Sequence, residues 1–507
     1  MTIDWEKLGQ VFLYNEKDPL LFNSAFFLFF ILAFLAFYQF LYKKKLTRVL
    51  VFTLFSFYFF YKACGWYVSF ILIAAIIDYN LSNWIYLAKS LNKKKLLLIF
   101  SITINLGLLA WFKYTDLFIH TINDLALGHI DPLKLVIPIG ISFYTFENLS
   151  YTIDVYRGHF KPVNSFWDYL FFLSFFPKLV MGPIVRAADF IPQIRQEIKI
   201  NGHHIARGLF LILGGLFKKV VISDYIYVNF VEMIFDDPSR FSGLECLLGV
   251  YGYAMVIYCD FSGYSDMAIG MAQWMGFTIN PNFETPYQSS SITEFWRRWH
   301  MSLSSWLRDY LYIPLGGNKK GKVRTYVNLM LTMLLGGLWH GASWNFVVWG
   351  GIHGLGLAID KLRMTLFPVS KPRLILKVLG VIWTFHLVCL CWIFFKCETF
   401  EDSGIVLRQI FTDFSLESPE GNNPVLAEIL SLGSSPLGQL WNNYQSVFLI
   451  MLMGYVVHFI PKRLDDWIIE QLVKVPLSGK IAVATLFIWI VIQSKQAEPV
   501  IPIYLRF

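Results

Sequence analysis

The chain has 507 residues, of which 56% are hydrophobic, 18% aromatic and only 15% charged. A soluble domain carries about 25% charged residues, so this composition excludes a soluble globular protein. The continuous apolar runs exclude a membrane β-barrel and predict an all-α polytopic membrane protein. The net charge of +8 comes from short basic clusters between apolar runs, as in the cytoplasmic loops of integral proteins, so we expect no nucleic-acid partner.

Apolar segments are the predicted membrane elements. In chain order they lie near 20–42, 48–62, 66–88, 96–112, 133–156, 206–222, 243–259, 325–340, 344–360, 376–396, 445–460 and 478–495. A span needs about 20 residues, and shorter or glycine-interrupted segments are typical of tilted, broken or re-entrant helices. We therefore expect about 11 or 12 transmembrane helices, together with re-entrant or interfacial helices. The first segment is too long for the hydrophobic part of a signal peptide, so it is expected to remain as a span.

Basic residues predict the orientation in the membrane. Lysine and arginine clusters follow alternate apolar segments, and the positive-inside rule assigns them to the cytoplasm. The stretch 398–444 is acidic and is expected outside as a loop, and the N-terminal end is expected outside as well. The basic clusters lie at 43–48, 93–95, 157–161, 319–324 and 361–373.

The stretch 157–205 is predicted to be re-entrant or interfacial. It contains the sequence FFLSFFPKLVMGPIVR, in which Pro177, Gly182 and Pro183 interrupt an otherwise apolar run. Proline removes a backbone donor and disrupts an α-helix, so we do not expect a continuous span here.

The chain shows no tandem repeat and no low-complexity linker, which favours a single integral membrane domain over residues 1–507. Within it we expect N-terminal spans at 20–156, a central core at 157–360 and C-terminal spans at 361–507. The acidic outer loop 398–444 belongs to the last part.

His340 is the first candidate for chemistry. It follows the apolar segment YVNLMLTMLLGGLW, in which Gly336 and Gly337 permit close backbone approach or a bend. Burial disfavours the charged imidazolium, so we expect a neutral base at pH 7. Such a base can take the proton from an attacking hydroxyl. The alternative is a hydrogen-bonded histidine that only caps a span at the membrane interface.

His300 is the second candidate and directly follows Trp-Arg-Arg-Trp. If the segment is helical, Trp296, His300 and Ser304 share one face. His300 can then orient a substrate or hydrogen-bond the reacting carbonyl. The alternative is an amphipathic interfacial helix whose tryptophans and arginines lie at the lipid headgroups.

Two carboxylates, Asp260 and Asp266, occur in the sequence YCDFSGYSDMAIG directly after an apolar run. A lone carboxylate at membrane depth is costly, so each is expected to find a cation or hydrogen-bond donors. We expect a structural salt bridge, for which Arg297, Arg298 and Arg308 are candidate partners, and a catalytic role is the alternative.

The basic loop 314–322, with the sequence PLGGNKKGK, lacks the spacing of a Walker A motif. We expect it to be a positive-inside anchor, and contact with a coenzyme phosphate is the alternative. The six cysteines form no CxxC pair, so we expect them to pack as small hydrophobic residues and expect no metal site. A covalent acyl-cysteine relay is the alternative.

Four stretches of the chain strongly resemble the membrane-bound O-acyltransferase (MBOAT) superfamily. They are FPKLVMGPIVR at 176–186, CDFSGYSDMAIG at 259–270, a run at 281–317 that includes FWRRWHMSLSSWLRDYLYIPLGG, and NLMLTMLLGGLWHGASWNFVVWGGIHG at 328–354. Within the superfamily, the chain is similar to the bacterial alginate O-acetyltransferase (AlgI-type) branch, a relative of the D-alanyl transfer protein DltB. The flanking spans match mainly in hydropathy.

The resemblance implies a multi-pass O-acyltransferase of the bacterial inner membrane, whose spans form a ring around a thinned centre. It implies that His340, in the WHG motif, is the catalytic residue and that His300, in the RRWH motif, is the second essential one. Candidates for substrate or donor binding within the motifs are Trp339, Asn345, Arg297, Arg298 and Asp309.

The resemblance also implies the reaction. Acetyl-CoA, a donor substrate and not a bound cofactor, would enter from the cytosol, and the acetyl group would leave on the outer face. A separate periplasmic acetyltransferase would then place it on an exopolysaccharide, as in alginate biosynthesis. Membrane lipid, acetyl-CoA, this second enzyme and the polysaccharide are the expected partners.

Other functions stay open at this point. The acceptor can be another cell-envelope glycan or a secreted protein. A glycan or solute transporter, with the histidines as proton relays, is the alternative from another class. Transporters often contain repeated halves with broken helices, and the absence of an internal repeat in the sequence argues against one.

Overall fold

The structure is a computed structural model, and it describes residues 5–15, 19–22, 24–125, 128–367, 373–415, 436–495 and 500–505. Every regular element in these ranges is a helix, which confirms the prediction of an all-α protein. The central part of the predicted outer loop 398–444, residues 416–435, lies outside the described residues.

The α-helices of these ranges, numbered in chain order, are α1 Trp5–Phe12, α2 Ala25–Tyr38, α3 Lys45–Cys64, α4 Val68–Leu87, α5 Leu91–Asp124, α6 Ile141–Arg157, α7 Phe166–Ser174, α8 Phe176–Leu179, α9 Ala187–Ile194, α10 Gly202–Leu216, α11 Glu232–Asp236, α12 Gly243–Trp274, α13 Ile292–Arg298, α14 Met301–Leu307, α15 Lys322–His340, α16 Trp344–Leu366, α17 Leu374–Lys396, α18 Phe400–Phe411, α19 Pro436–Phe459, α20 Lys462–Lys474 and α21 Leu477–Gln493. Wider π-helical turns continue α10 over Phe217–Asp224 and Tyr227–Val231, and α14 over Arg308–Tyr312. Such turns are rare and frequently occur at functional sites.

Several helices of the described residues can cross a membrane by length and composition. Four stretches are long and apolar enough, namely Lys45–Leu87, Leu91–Asp124, Gly243–Trp274 and Leu374–Lys396. A fifth is counted if α19 and α20, which meet at an angle of 88°, form one broken span. The multi-pass character is therefore confirmed, and the full number of about 11 or 12 crossings stays a prediction.

The first of two compact units comprises Met1–Ile212 and Tyr264–Pro281. Phenylalanine rings fill much of its interior, with centroid distances of 4.9 Å between Phe175 and Phe190 and 5.4 Å between Phe190 and Phe277. The stretch 157–205 contributes the short helices α7, α8 and α9 to this unit. The prediction that no continuous span forms there is confirmed.

A closed polar network lies inside this first unit. The buried carboxylate of Asp78 accepts hydrogen bonds from Ser101 Oγ, from Asn105 Nδ2 at 2.7 Å and from Thr152 Oγ1 at 3.3 Å. Asn105 in turn accepts from Asn148 Nδ2 at 3.3 Å. These bonds join α4, α5 and α6, and they satisfy a carboxylate that is otherwise costly to bury.

The second unit comprises Leu213–Gly263 and Asn282–Phe507. Its helices α15 and α16 pack closely because glycines face neighbouring carbonyls: a methyl group added to Gly337 would lie 2.1 Å from the carbonyl oxygen of Phe346. One added to Gly350 would lie 2.3 Å from the carbonyl oxygen of Met333. The predicted close approach near His340 is confirmed, and it fixes the end of α15.

Candidate active site

The two predicted histidines lie together in the second unit. The ring centroids of His300 and His340 are 6.5 Å apart, although 40 residues separate them in the sequence. His300 is 0% exposed and His340 is 3% exposed. The structure therefore brings the candidate residues of two different motifs into one enclosed cluster.

The segment around His300 is not one continuous helix. Helix α13 ends at Arg298, and α14 starts at Met301, so Trp296, His300 and Ser304 do not share one helical face. His300 has a φ of +41°, a left-handed conformation that non-glycine residues seldom adopt and that often marks functional sites. The break turns the imidazole away from the helix surface and into the interior.

Asn282 fixes the tautomer of His300. The side-chain oxygen of Asn282 accepts hydrogen bonds from the backbone N–H and the hydroxyl of Ser302, at 3.2 and 2.9 Å. It also lies 3.2 Å from His300 Nδ1, so Nδ1 must donate the proton. The other nitrogen, Nε2, then carries a lone pair, and it has no hydrogen-bond partner among the residues that the structure describes.

Aromatic rings enclose His340 at the end of α15. Its ring meets Trp339 and Trp349 edge-on, each at a centroid distance of 5.0 Å, and Phe395 at 5.4 Å. The ring therefore lies in a largely apolar, aromatic shell.

Tyr504 completes the cluster, and sequence reasoning missed it. Its ring centroid lies 5.5 Å from that of His340, 6.1 Å from that of His300 and 4.3 Å from that of Phe261. Within the described ranges, no group hydrogen-bonds to its hydroxyl. A tyrosine between apolar residues after the last predicted span carries no local signal, so only the fold reveals its place.

Asp260 forms the expected salt bridge, but with a different partner. Its Oδ1 lies 2.7 Å from Lys219 Nζ, and neither side chain is more than 1% exposed. The expected pairing with Arg297, Arg298 or Arg308 is therefore wrong, because the π-helical turn that continues α10 brings Lys219 to α12. Lys219 lies inside the apolar segment predicted near 206–222, and that position was the available signal.

A cavity of about 510 Å³ opens beside the histidine cluster. Apolar side chains such as Trp296 and Met333 form part of its lining, and the cations Arg297, Arg308 and Lys361 form another part. Neither His300 nor His340 is among its lining residues. Aromatic rings connect the cavity lining to His340 instead. The ring centroid of Trp296 lies 5.7 Å from that of Trp349, and that of Trp349 lies 5.0 Å from that of His340.

The remaining predicted binding residues occupy different surroundings. Asn345 is buried and donates from Nδ2 to the carbonyl oxygen of Cys397 at 2.8 Å. Arg298 forms a salt bridge with Glu294, with 2.8 Å between Nη2 and Oε1. Asp309 forms one with the neighbouring Arg308, with 2.7 Å between Oδ1 and Nε.

Of these predicted residues, Arg297 lines the cavity, and Trp339 contacts both histidines, with its centroid 6.1 Å from that of His300. The basic loop reaches the cavity through Asn318, whose side-chain oxygen lies 3.4 Å from Lys361 Nζ.

The described residues contain no group of three or more His, Cys, Asp or Glu side chains that can hold a metal ion. All six cysteines are free thiols and buried, as expected for small hydrophobic side chains.

The sequence is similar to known membrane-bound acyltransferases. The model of the membrane-bound O-acyltransferase family matches residues 19–400. The peptidoglycan O-acetyltransferase of Helicobacter pylori is 35% identical over 371 residues, which cover 68% of this chain and 69% of that protein. The probable alginate O-acetylase AlgI of Pseudomonas aeruginosa is 41% identical over 319 residues, 62% of this chain and 60% of that protein. The teichoic acid D-alanyltransferase of Bacillus subtilis is 28% identical over 285 residues, 54% of this chain and 72% of that protein.

Proposed function

The chain belongs to the membrane-bound O-acyltransferase family and is an O-acyltransferase, and on this premise we propose that it moves acetyl groups from cytosolic acetyl-CoA across the bacterial inner membrane. The acceptor is a cell-envelope polysaccharide of the exopolysaccharide type, such as alginate, and a periplasmic acetyltransferase completes the transfer. The observation that carries the proposal is the enclosed pair of imidazoles beside a cavity lined partly by cations.

The cavity suits a donor such as acetyl-CoA. Its volume of about 510 Å³ lies within the range of roughly 300–1,000 Å³ that small-molecule sites occupy. Arg297, Arg308 and Lys361 can bind the phosphates of the coenzyme, since guanidinium and ammonium groups bind phosphate by charge-assisted hydrogen bonds. Trp296 and Met333 can contact the less polar pantetheine arm.

The chemistry follows from the enclosed cluster. An acceptor hydroxyl attacks the thioester carbon, His340 takes its proton, and the C–S bond then breaks to release the thiolate, which recovers the proton from His340. His300 accepts a hydrogen bond at Nε2 from a second hydroxyl of the acceptor and so orients the acceptor for attack. The Tyr504 hydroxyl donates to the carbonyl oxygen as that oxygen gains negative charge.

The donor must pass an aromatic wall to reach His340. Trp296 lines the cavity, and Trp349 contacts both the Trp296 ring and the His340 ring. We therefore assign a gating movement to these two indoles, which admits the thioester and otherwise keeps water out.

The acceptor is proposed from the relatives. Two of them are named for O-acetylation of peptidoglycan and alginate, and a third is named for D-alanyl transfer to teichoic acid. All three acceptors are envelope polymers, which favours a glycan over a secreted protein.

The test supplies membranes with acetyl-CoA radiolabelled in the acetyl group and follows the label, with and without the periplasmic fraction. Label in envelope polysaccharide that requires the chain and is lost in His340→Ala supports the proposal. Label in a secreted protein redirects the acceptor. Proton-coupled solute flux in liposomes without any donor, together with no labelled product, identifies a transporter and refutes the enzyme assignment.

A further inference from the structure

The segment 500–505 is held in place by buried charged side chains. The backbone N–H of Ile503 donates to Asp260 Oδ2 at 2.8 Å. The carbonyl oxygen of Val500 accepts from Lys219 Nζ at 3.4 Å. The next residue after Ile503 is Tyr504, whose ring contacts both histidines.

We propose that Asp260 and Lys219 are positioning residues for acyl transfer, because they hold the segment 500–505 so that the Tyr504 hydroxyl stands beside His300 and His340. The inference rests on the proposed function, which gives this hydroxyl a part in the reaction. The family match ends at residue 400 and does not cover the segment.

The charges of the cluster explain why it needs the segment. Lys219 Nζ lies 2.6 Å from Asp224 Oδ1 and 2.7 Å from Asp260 Oδ1. One ammonium is thus shared by two carboxylates, and a buried carboxylate is costly unless hydrogen-bond donors also stabilise it. The N–H of Ile503 is such a donor for Asp260. The segment therefore completes the charge cluster, and the cluster in turn fixes the segment.

Two backbone features bring these groups together. Lys219 and Asp224 belong to the π-helical turn Phe217–Asp224 and are five residues apart, and the i→i+5 bonding of a π-helix sets such residues on adjacent turns. On α12, Gly263 follows Asp260 by three residues, and a methyl group added there would lie 2.7 Å from the carbonyl oxygen of Gly215. The missing side chain allows α12 to approach the helix that carries Lys219.

The first measurement reports the place of position 504 directly. Phe261→Cys and Tyr504→Cys are introduced together, since these two rings lie 4.3 Å apart, and oxidation is followed by mass spectrometry of the cross-linked peptides. The parent chain, whose six cysteines are buried, gives the background. Adding Ile503→Pro removes the N–H that Asp260 accepts, and freeing the segment should lower the cross-linked fraction roughly ten-fold, because the effective concentration of the two thiols falls.

The matched control for Ile503→Pro is Ile503→Ala. Both substitutions remove the buried side chain, but only proline removes the N–H, and proline is tolerated at the first position of a helical turn. Ile503→Ala should therefore keep the cross-link. Both variants retain Lys219, Asp224 and Asp260, so the test does not depend on a charge variant that fails to fold.

The second measurement is the rate of acetyl transfer, and it uses variants without the introduced cysteines, in which Tyr504 is present. Asp260→Ala and Ile503→Pro should each lower kcat roughly 100-fold, as expected for a misplaced reactive group, with the KM for acetyl-CoA changed less than about two-fold. The control for a lost buried pair is Glu147→Ala in the first unit, because Glu147 pairs with Lys178 and also accepts a backbone N–H, that of Val185, at 3.0 Å. That variant should keep both the cross-link and kcat.

The outcomes separate the two levels of the inference. Equal cross-linking in Ile503→Pro and Ile503→Ala, or lost cross-linking with full kcat, overturns the positioning role. Full transfer by Tyr504→Phe removes the function of the positioned hydroxyl and also overturns the inference, while leaving the acyltransferase assignment intact. The proposed function itself fails if His340→Ala transfers acetyl groups normally, or if the chain carries solute flux and yields no labelled product.

Discussion

Two sets of buried polar side chains, one in each unit, differ in how their hydrogen bonds are completed. In the first unit, the Asp78 carboxylate accepts from Ser101, Asn105 and Thr152. In the second unit, His300 Nε2 and the Tyr504 hydroxyl find no hydrogen-bond partner among the residues that the structure describes. The first set is closed by the protein, and the second is open.

The difference separates a structural role from a chemical one. A buried polar group without a partner costs free energy, so proteins satisfy nearly all of them, and an exception needs an explanation. A substrate that supplies the missing partners is such an explanation for the second set. The closed network is then expected to determine stability, and the open cluster to determine turnover.

The largest expected effect is that of His340→Ala in the open cluster. Loss of the general base should lower acetyl transfer by roughly 10²–10⁴-fold. The amount of protein in the membrane and its thermal unfolding in detergent should change little by comparison. Radiolabel transfer from acetyl-CoA and a fluorescence melting curve measure the two quantities. Normal acetyl transfer by this variant would show that His340 is not the general base.

The corresponding change in the closed network is Asp78→Ala. It leaves the donors of Ser101 and Asn105 without their acceptor, at a cost of about 1–3 kcal/mol for each orphaned group. The melting temperature in detergent should fall clearly, whereas kcat of the folded fraction should stay near that of the parent. A loss of kcat without a loss of stability would show that the Asp78 network has a chemical role and not a structural one.

Tyr504→Phe sharpens the comparison, because it removes a hydroxyl that has no hydrogen-bond partner among the described residues. It keeps the ring contacts with His340 and Phe261. Transfer should fall by roughly 10–100-fold, the range expected for the loss of one oriented donor to a developing charge. Stability should stay the same or rise slightly, since a buried unsatisfied hydroxyl disappears. Steady-state kinetics and a melting curve on the same preparation check both statements. A marked drop in stability would show that the hydroxyl has a structural partner.

Local sequence signals predicted the helices around the site well. The apolar segments near 325–340 and 344–360 became α15 and α16, and a serine at 343 caps the second by accepting from the N–H of Asn345 at 3.2 Å. The predicted start of the segment near 133–156 was less accurate, because the helix begins only at Ile141. Pro138 and Gly140 precede that start, so the correct boundary was also available from local chemistry.

The geometry of the site could not be read from the sequence. No residue in FWRRWHMSLSSW is a helix breaker, yet the helix is interrupted at His300. The side-chain oxygen of Asn282 accepts from the N–H of Ser302, and its backbone carbonyl oxygen accepts from the N–H of Met301 at 2.9 Å. Tyr504 reaches the site through a hydrogen bond that spans 243 residues, from Ile503 to Asp260. Both features depend on tertiary contacts that local patterns do not encode.

The smallest expected effect concerns a polar pair that is neither closed nor open but exposed. Glu284 and Lys462 form a salt bridge whose side chains are 45% and 59% exposed. The hydrogen bond from Lys462 holds the pKa of Glu284 below its usual value of 4.5. Because the folded pKa is depressed, the stabilisation is present above pH 4.5 and is lost as the pH falls through the lower folded value.

Lys462→Gln should therefore lower stability at pH 7 by no more than about 1 kcal/mol, since solvent screens an exposed pair. The difference from the parent should vanish in acid and shrink in about 1 M salt, where the Debye length is near 3 Å. Melting curves of both proteins over pH and salt measure this. A difference in stability that persists in acid and in salt would mean that Lys462 contributes through packing of its aliphatic stem. The contribution of Lys462 would then not be electrostatic.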